Sequence, residues 1–115
     1  MNVLVSSRHM ELTPPIKTYA EQKANKLGKY YDRIRDIEVI FDADGGAKGE
    51  AKDHTIVEMI VNAEHHLTFV ARHEGEAYGC VDTCVHKLER QLTEHKKLFR
   101  NRKHPGEDTP KTTGA

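Results

Sequence analysis

The chain has 115 residues, of which 37% are hydrophobic, and 18 Lys and Arg residues balance 18 Asp and Glu residues. This length fits one domain with one core, since domains most often hold roughly 100–150 residues, and no stretch approaches the ~20 apolar residues that cross a bilayer. The N-terminal residues lack the basic end and apolar run of a signal peptide, so we expect a cytoplasmic protein that is not inserted in a membrane.

The first third of the chain predicts a strand followed by a helix. A short apolar run at residues 3–5 is typical of a strand. Thr13 stands before two prolines, and a hydroxyl residue followed by proline marks a helix start, because proline lacks a donor that would be unpaired there anyway. Apolar residues then recur at spacings of three and four, which predicts a helix that ends near Asp32 or Arg33. These residues are Ile16, Ala20, Ala24, Leu27, Tyr31 and Ile34.

The middle of the chain predicts three strands. Residues 37–41 are rich in β-branched and aromatic side chains, and residues 55–61 and 67–72 have similar character. Residues 62–66 are predicted to form the hairpin between the last two strands. The acidic, glycine-containing segment 42–53 predicts a mobile loop.

A second helix is predicted to begin at residues 74–76, where acidic side chains favour the positive end of a helix, and to run to about residue 100. Cys80 and Cys84 are four residues apart, so they share a helix face and are interpreted as small core residues rather than as a disulfide. From His104 onward the composition predicts a flexible tail. The apolar positions that define the buried face are Ala77, Val81, Cys84, Leu88, Leu92 and Phe99.

The predicted order is strand, helix, three strands, helix. Each helix has one apolar face, so both can cover the same face of a four-stranded sheet. This arrangement predicts a two-layer α+β domain over residues 1–103, followed by a polar tail at residues 104–115.

Cations follow one face of each predicted helix. Side chains at steps of three and four form a ridge on the first helix, with a further lysine beside it: Gln22, Lys26, Lys29, Arg33 and Lys23. On the second helix Lys87, Arg90 and Lys97 form a ridge with Glu94 between them. Further cations add positive charge at that end: Lys96, Arg100, Arg102 and Lys103. Two neighbouring helices would place both ridges on one surface suited to phosphate oxygens. Either ridge alone is explained by solubility, because exposed helix faces usually carry charged side chains.

The charge distribution along the chain raises the binding interpretation of the two ridges together to the level of the solubility interpretation. Residues 1–40 carry 7 Lys and Arg against 5 Asp and Glu, residues 83–104 carry 7 against 2, and residues 41–82 between them carry 3 against 9. Local charge of this kind matters more to a polyanion than the net charge does.

Little in the sequence supports catalysis. The glycines at 45, 46 and 49 lack the strand–loop–helix setting and the lysine of a phosphate-binding loop. No serine stands in a nucleophile-elbow pattern, and the eight histidines show no zinc-ligand spacing. We therefore expect no enzymatic activity, no cofactor and no metal site.

Two segments resemble the family of ribosome hibernation promoting factors and ribosome-associated inhibitors, which is also labelled the sigma-54 modulation protein family. Residues 77–97 read AYGCVDTCVHKLERQLTEHKK, and residues 7–34 read SRHMELTPPIKTYAEQKANKLGKYYDRI. The resemblance covers roughly residues 3–100. The positions that match the family's helix signature are Tyr78, Asp82, Lys87, Leu88, Arg90, Gln91 and Leu92.

The resemblance implies a β-α-β-β-β-α fold with both helices on one face, akin to double-stranded RNA-binding domains. It implies binding to ribosomal RNA in the tRNA–mRNA channel of the small subunit and of the 70S ribosome, which would exclude tRNA, mRNA and initiation factors and preserve idle ribosomes under stress and in stationary phase. Tyr78, partly in the core, and Asp82 would position the second helix, and Arg8 and His9 are secondary candidates for RNA contact. The implied phosphate contacts are Lys23, Lys26, Lys29, Lys87, Arg90 and Lys97.

Some features depart from the family pattern, and other functions stay open. Glu94 stands where relatives usually have a basic residue, which is expected to weaken one RNA contact, and the acidic segment 42–53 is expected to point away from RNA. We expect a monomer without the dimerising module of longer members. The tail does not distinguish the promoting from the inhibitor subtype. The alternatives are a general module for structured RNA and a protein-binding modulator of a sigma factor.

Overall fold

The computed structural model describes residues 1–43 and 55–102, except for the side chains of residues 99–102. In chain order the elements are β1 (Asn2–Arg8), α1 (Pro14–Asn25), a 3-10 helix (Lys26–Lys29), β2 (Ile34–Ala43), β3 (Thr55–Ala63), β4 (Leu67–Gly75) and α2 (Ala77–Arg102). The predicted order of elements and the α+β class are confirmed. The predicted tail and all but the first two residues of the predicted acidic loop lie outside the described residues.

The four strands form one sheet in the order β1-β2-β3-β4. β1 pairs with β2 in parallel, and the other two pairings are antiparallel. A parallel pair needs a long crossover, which α1 and the 3-10 helix supply. The register places Val5 opposite Val39, Val39 opposite Met59, and Met59 opposite Ala71. All four side chains are buried, so this row faces the helices.

Both helices pack on this one face of the sheet and close a single core. Ala20 and Ala24 of α1 are fully buried, as is Leu88 of α2. Cys80 and Cys84 are also buried and unpaired, and their Sγ atoms lie 3.5 and 3.4 Å from the carbonyl oxygens of Thr55 and Val57. The prediction that both cysteines are core residues is therefore confirmed. No helix in the described part of the chain is long and apolar enough to span a membrane.

The predicted end of the first helix, near Asp32 or Arg33, is wrong. The α-helix ends at Asn25, and the chain tightens into the 3-10 helix, after which the backbone N–H of Tyr30 donates to the carbonyl of Leu27 at 3.0 Å. The apolar periodicity continued past the helix because residues in the 3-10 helix, the loop and β2 still face the core. Leu27, Tyr31 and Ile34 are the buried residues concerned.

The start of α2 also differs from the prediction. Glu74 and Gly75 complete β4, and Gly75 has φ +152°, a value that L side chains rarely adopt. Glu76 then caps the helix, because its carboxylate oxygens accept hydrogen bonds from the backbone N–H groups of Tyr78 at 3.0 Å and Gly79 at 2.9 Å. An acidic side chain therefore lies at the positive end of the helix, as predicted, but only Glu76 has this role, since Glu74 belongs to β4.

Candidate nucleic-acid interface

Lys23 lies between the two helices rather than on an outer ridge. Its Nζ atom is 3.9 Å from Oδ1 of Asp82 on α2 and 5.4 Å from the centroid of the Tyr19 ring. The hydroxyl of Tyr19 donates a hydrogen bond of 2.6 Å to the same Oδ1 atom. This hydrogen bond, together with burial and the charge of Asp82, raises the pKa of Tyr19 to about 12. The three side chains join α1 to α2.

Lys26 and Lys29 are exposed at the two ends of the 3-10 helix. Arg33 does not continue their ridge, because the helix has already ended. Its Nη1 atom lies 3.5 Å from Oε1 of Glu64, in the connection between β3 and β4. The first predicted ridge therefore divides into the two lysines, which stay beside α1, and an arginine that faces the β3–β4 connection.

Lys87 lies on the side of α2 that covers the edge of the sheet. Its Nζ atom donates to the carbonyl of Arg72 at 3.0 Å, and Gln91, one helical turn later, donates to the carbonyl of Val70 at 3.0 Å. Both acceptors belong to β4, the edge strand. A role of Lys87 in holding this edge was not predicted, because the bond joins residues that are 15 apart in the chain and lie on different elements.

Arg90 is exposed on the side of α2 that faces the end of the 3-10 helix. It lines a depression of about 220 Å³ together with Tyr30, which follows the 3-10 helix directly. The other lining residues are Glu89, Thr93 and Glu94 of α2. Lys96 and Lys97 are exposed further along α2. The structure thus brings the end of the 3-10 helix close to Arg90, as the two-ridge interpretation required, although carboxylates share the surface.

The remaining predicted contact residues lie away from the two helices or outside the described residues. Arg8 ends β1, and the Nδ1 atom of His9 lies 3.0 Å from Oδ1 of Asp42 at the adjacent end of β2. Arg8 belongs to the sheet and His9 directly follows its strand, so neither lies on a helix surface. The Arg100 side chain lies outside the described residues. Among the described residues, no group of three or more His, Cys, Asp and Glu side chains converges as metal ligands.

Two partly exposed tyrosines lie beside the helix cations and were not among the predicted contacts. Tyr78 was expected partly in the core, and it is partly buried: 37% of it is exposed, and its ring packs edge-on against Tyr19 with the centroids 5.0 Å apart. Tyr30 is 39% exposed. Their place beside the helix cations depends on how α1 and α2 pack, and no local pattern in the sequence reports that packing.

The fold and this surface define a class of protein: a two-layer α+β domain with exposed cations on both helices. Its family follows from comparison with known proteins. The family model described as sigma 54 modulation protein / S30EA ribosomal protein matches residues 3–99. The chain belongs to this family, which confirms the resemblance seen in the sequence.

Individual relatives agree in sequence and in fold. A ribosome hibernation promoting factor from Azotobacter vinelandii is 32% identical over 98 residues, which cover 84% of this chain and 83% of that protein. A ribosome hibernation promotion factor from Deinococcus radiodurans is 27% identical over 106 residues, and the match spans 92% of this chain but only 54% of that relative. The structure of a ribosomal subunit interface protein from Coxiella burnetii superposes with a TM-score of 0.71 at 26% identity, covering 84% of this chain and 99% of the other.

Proposed function

We propose that this protein is a ribosome hibernation factor that binds the small ribosomal subunit and keeps it translationally idle. The observation that carries the proposal is the family match over residues 3–99, together with relatives that are named ribosome hibernation promoting factors. On this proposal the protein occupies the tRNA–mRNA channel and contacts ribosomal RNA there. Inhibition then results from exclusion of tRNA, mRNA and initiation factors, with no chemical step.

The proposed contact surface is the exposed side of the two helices. We define the basic helical surface as Lys26, Lys29, Arg90, Lys96 and Lys97, with Lys23 and Lys87 at its margin. Lysine and arginine on such a surface meet phosphate oxygens, and backbone contacts hold a protein on RNA without reading its sequence. Residues 1–103 would form the ribosome-binding domain.

Charge reversal on the basic helical surface tests the proposal. Lys26→Glu combined with Arg90→Glu is expected to abolish co-sedimentation with small subunits and 70S ribosomes, because it replaces two phosphate contacts by repulsion. Lys17→Glu is the matched control. Lys17 is exposed on α1, and about two and a half helical turns separate it from Lys26, so the two side chains point to opposite sides of the helix.

The outcome separates the proposal from its alternatives. Unchanged co-sedimentation of a folded double variant would exclude this surface as the ribosome contact. Binding to any duplex RNA as tightly as to the small subunit would favour a general RNA-binding module. The family description also names sigma 54 modulation. A protein-binding modulator would keep its partner at high salt, whereas phosphate contacts weaken with a log–log slope of roughly −0.7 to −0.9 per phosphate.

A further inference from the structure

The surface between the two helices contains more than cations. We call it the interhelical groove, and the residues that define it are Tyr19, Lys23, Tyr30, Tyr78, Asp82, Glu89, Arg90 and Glu94. At one end the Tyr78 ring packs against Tyr19 at an interplanar angle of 75°, and Tyr19 is itself fixed by its hydrogen bond to Asp82. The Tyr78 ring is therefore held in place while part of its surface stays exposed.

The other end of the interhelical groove also has an exposed tyrosine beside charged side chains. The exposed ring of Tyr30 borders the depression that Arg90, Glu89 and Glu94 also line. Along α2, positions 78 and 90 are separated by twelve residues, which at the helical rise correspond to about 18 Å. The two rings therefore lie well apart along the surface between the helices.

The carboxylates in the interhelical groove decide which part of a nucleic acid fits there. Glu89 and Glu94 line the depression beside Arg90 and would repel a phosphate placed inside it, whereas Arg90 is exposed and can meet a phosphate from outside. The same carboxylates accept hydrogen bonds from the amino groups that adenine and cytosine present. Lys26 and Lys97, which are exposed, remain suited to phosphates. The groove therefore suits bases, and the cations around it suit the backbone.

We propose that the interhelical groove binds an unpaired stretch of RNA, with Tyr78 and Tyr30 each stacking on one base. This inference rests on the proposed function, because it needs the basic helical surface to face RNA. Exposed aromatic rings stack on bases of single strands and loops, whose bases are accessible. A perfect duplex keeps its bases stacked internally, so it can use the cations but not the rings.

The test is a fluorescence titration with two RNA probes of one sequence that contain 2-aminopurine. One probe is single-stranded, and the other is a perfect duplex. Wild-type protein is expected to quench the single-stranded probe on binding. Tyr78→Leu and Tyr30→Leu should each weaken single-strand binding by about tenfold, the loss typical of one base–aromatic stack, with duplex binding unaltered. Tyr78→Phe retains the ring and should restore binding.

Controls separate stacking from a structural effect. Leu4→Ala changes an exposed apolar side chain on the other face of the sheet and should bind as wild type. Equal losses for single strand and duplex in folded variants, or no loss in either, would overturn the stacking proposal and leave the proposed function intact. If Tyr78→Leu does not fold, Tyr30→Leu decides. If wild-type protein binds neither RNA nor ribosomes at low salt, the proposed function fails as well.

Discussion

Burial determines the chemistry of the two cysteines. Desolvation is the main reason that the pKa of each thiol rises from 9.0 to about 11. Because the reactive species is the thiolate, thiols that are buried and protonated at neutral pH are poor nucleophiles. Their spacing of four residues was enough to predict a core role, since it is a local property of one helix.

We expect Cys80 and Cys84 to react with iodoacetamide at pH 8 only after unfolding. Labelling followed by mass spectrometry, with denatured protein as the control, measures this directly. Since the folded pKa exceeds the unfolded value of 9.0, the unfolded state loses its thiol protons first. The free energy of unfolding should therefore decrease as the pH rises from about 9 to about 11. Rapid labelling of the folded protein would contradict the buried assignment.

The Tyr19–Asp82 hydrogen bond could not be read from the sequence, because its partners are 63 residues apart. Tyr19→Phe should lower the free energy of unfolding by about 1 kcal/mol, since the bond is to a charged acceptor but lies near the surface. Asp82→Asn tests the same contact from the other helix. In a double-mutant cycle measured by urea unfolding, the two effects should be clearly less than additive. Full additivity would mean that the two side chains do not interact.

At the scale of elements, the sequence predicted which segments fold but not where each one ends. Periodic apolar residues report burial, and burial does not stop when a helix becomes a 3-10 helix and then a strand. The same reason explains the ridges. Lys26 and Lys29 lie in the 3-10 helix beside α1. Arg33 was predicted at the end of the first helix, but the helix ends before it, and Arg33 faces Glu64 instead.

The edge of β4 shows how one element protects another. Residues four apart on a helix are about 6 Å apart along its axis, and alternate residues of a strand about 6.6–6.8 Å apart, so Lys87 and Gln91 can reach the carbonyls of Arg72 and Val70 together. An open strand edge is a template for pairing with another chain. These side chains occupy two of its acceptors.

The double variant Lys87→Ala, Gln91→Ala should therefore associate with increasing concentration, and its free energy of unfolding should decrease by about 1–2 kcal/mol through the loss of two hydrogen bonds. Light scattering coupled to gel filtration measures the association. Lys17→Ala with Gln22→Ala removes the same exposed residue types from α1 and serves as the control. A monomeric, fully stable double variant would show that the bonds do not protect the edge.

At the scale of the whole molecule, charge separation was the informative feature of a chain with no net charge. Segment counts indicated basic helices, and the apolar faces of the two helices predicted the fold that brings them together. The sequence could not predict the arrangement within that surface. Lys23 is paired with Asp82, Lys87 with a strand carbonyl, and Glu94 lies beside Tyr30, and each of these contacts depends on tertiary packing.

The central claim is that the protein occupies the channel of the small subunit that tRNA uses. The most direct measurement is co-sedimentation of the wild-type protein with isolated small subunits, in sucrose gradients at two salt concentrations, with and without excess tRNA. The account predicts that the protein travels with the subunit, that tRNA displaces it, and that binding weakens steeply at the higher salt. Binding that tRNA does not affect, or a protein that stays at the top of the gradient at low salt, would contradict it.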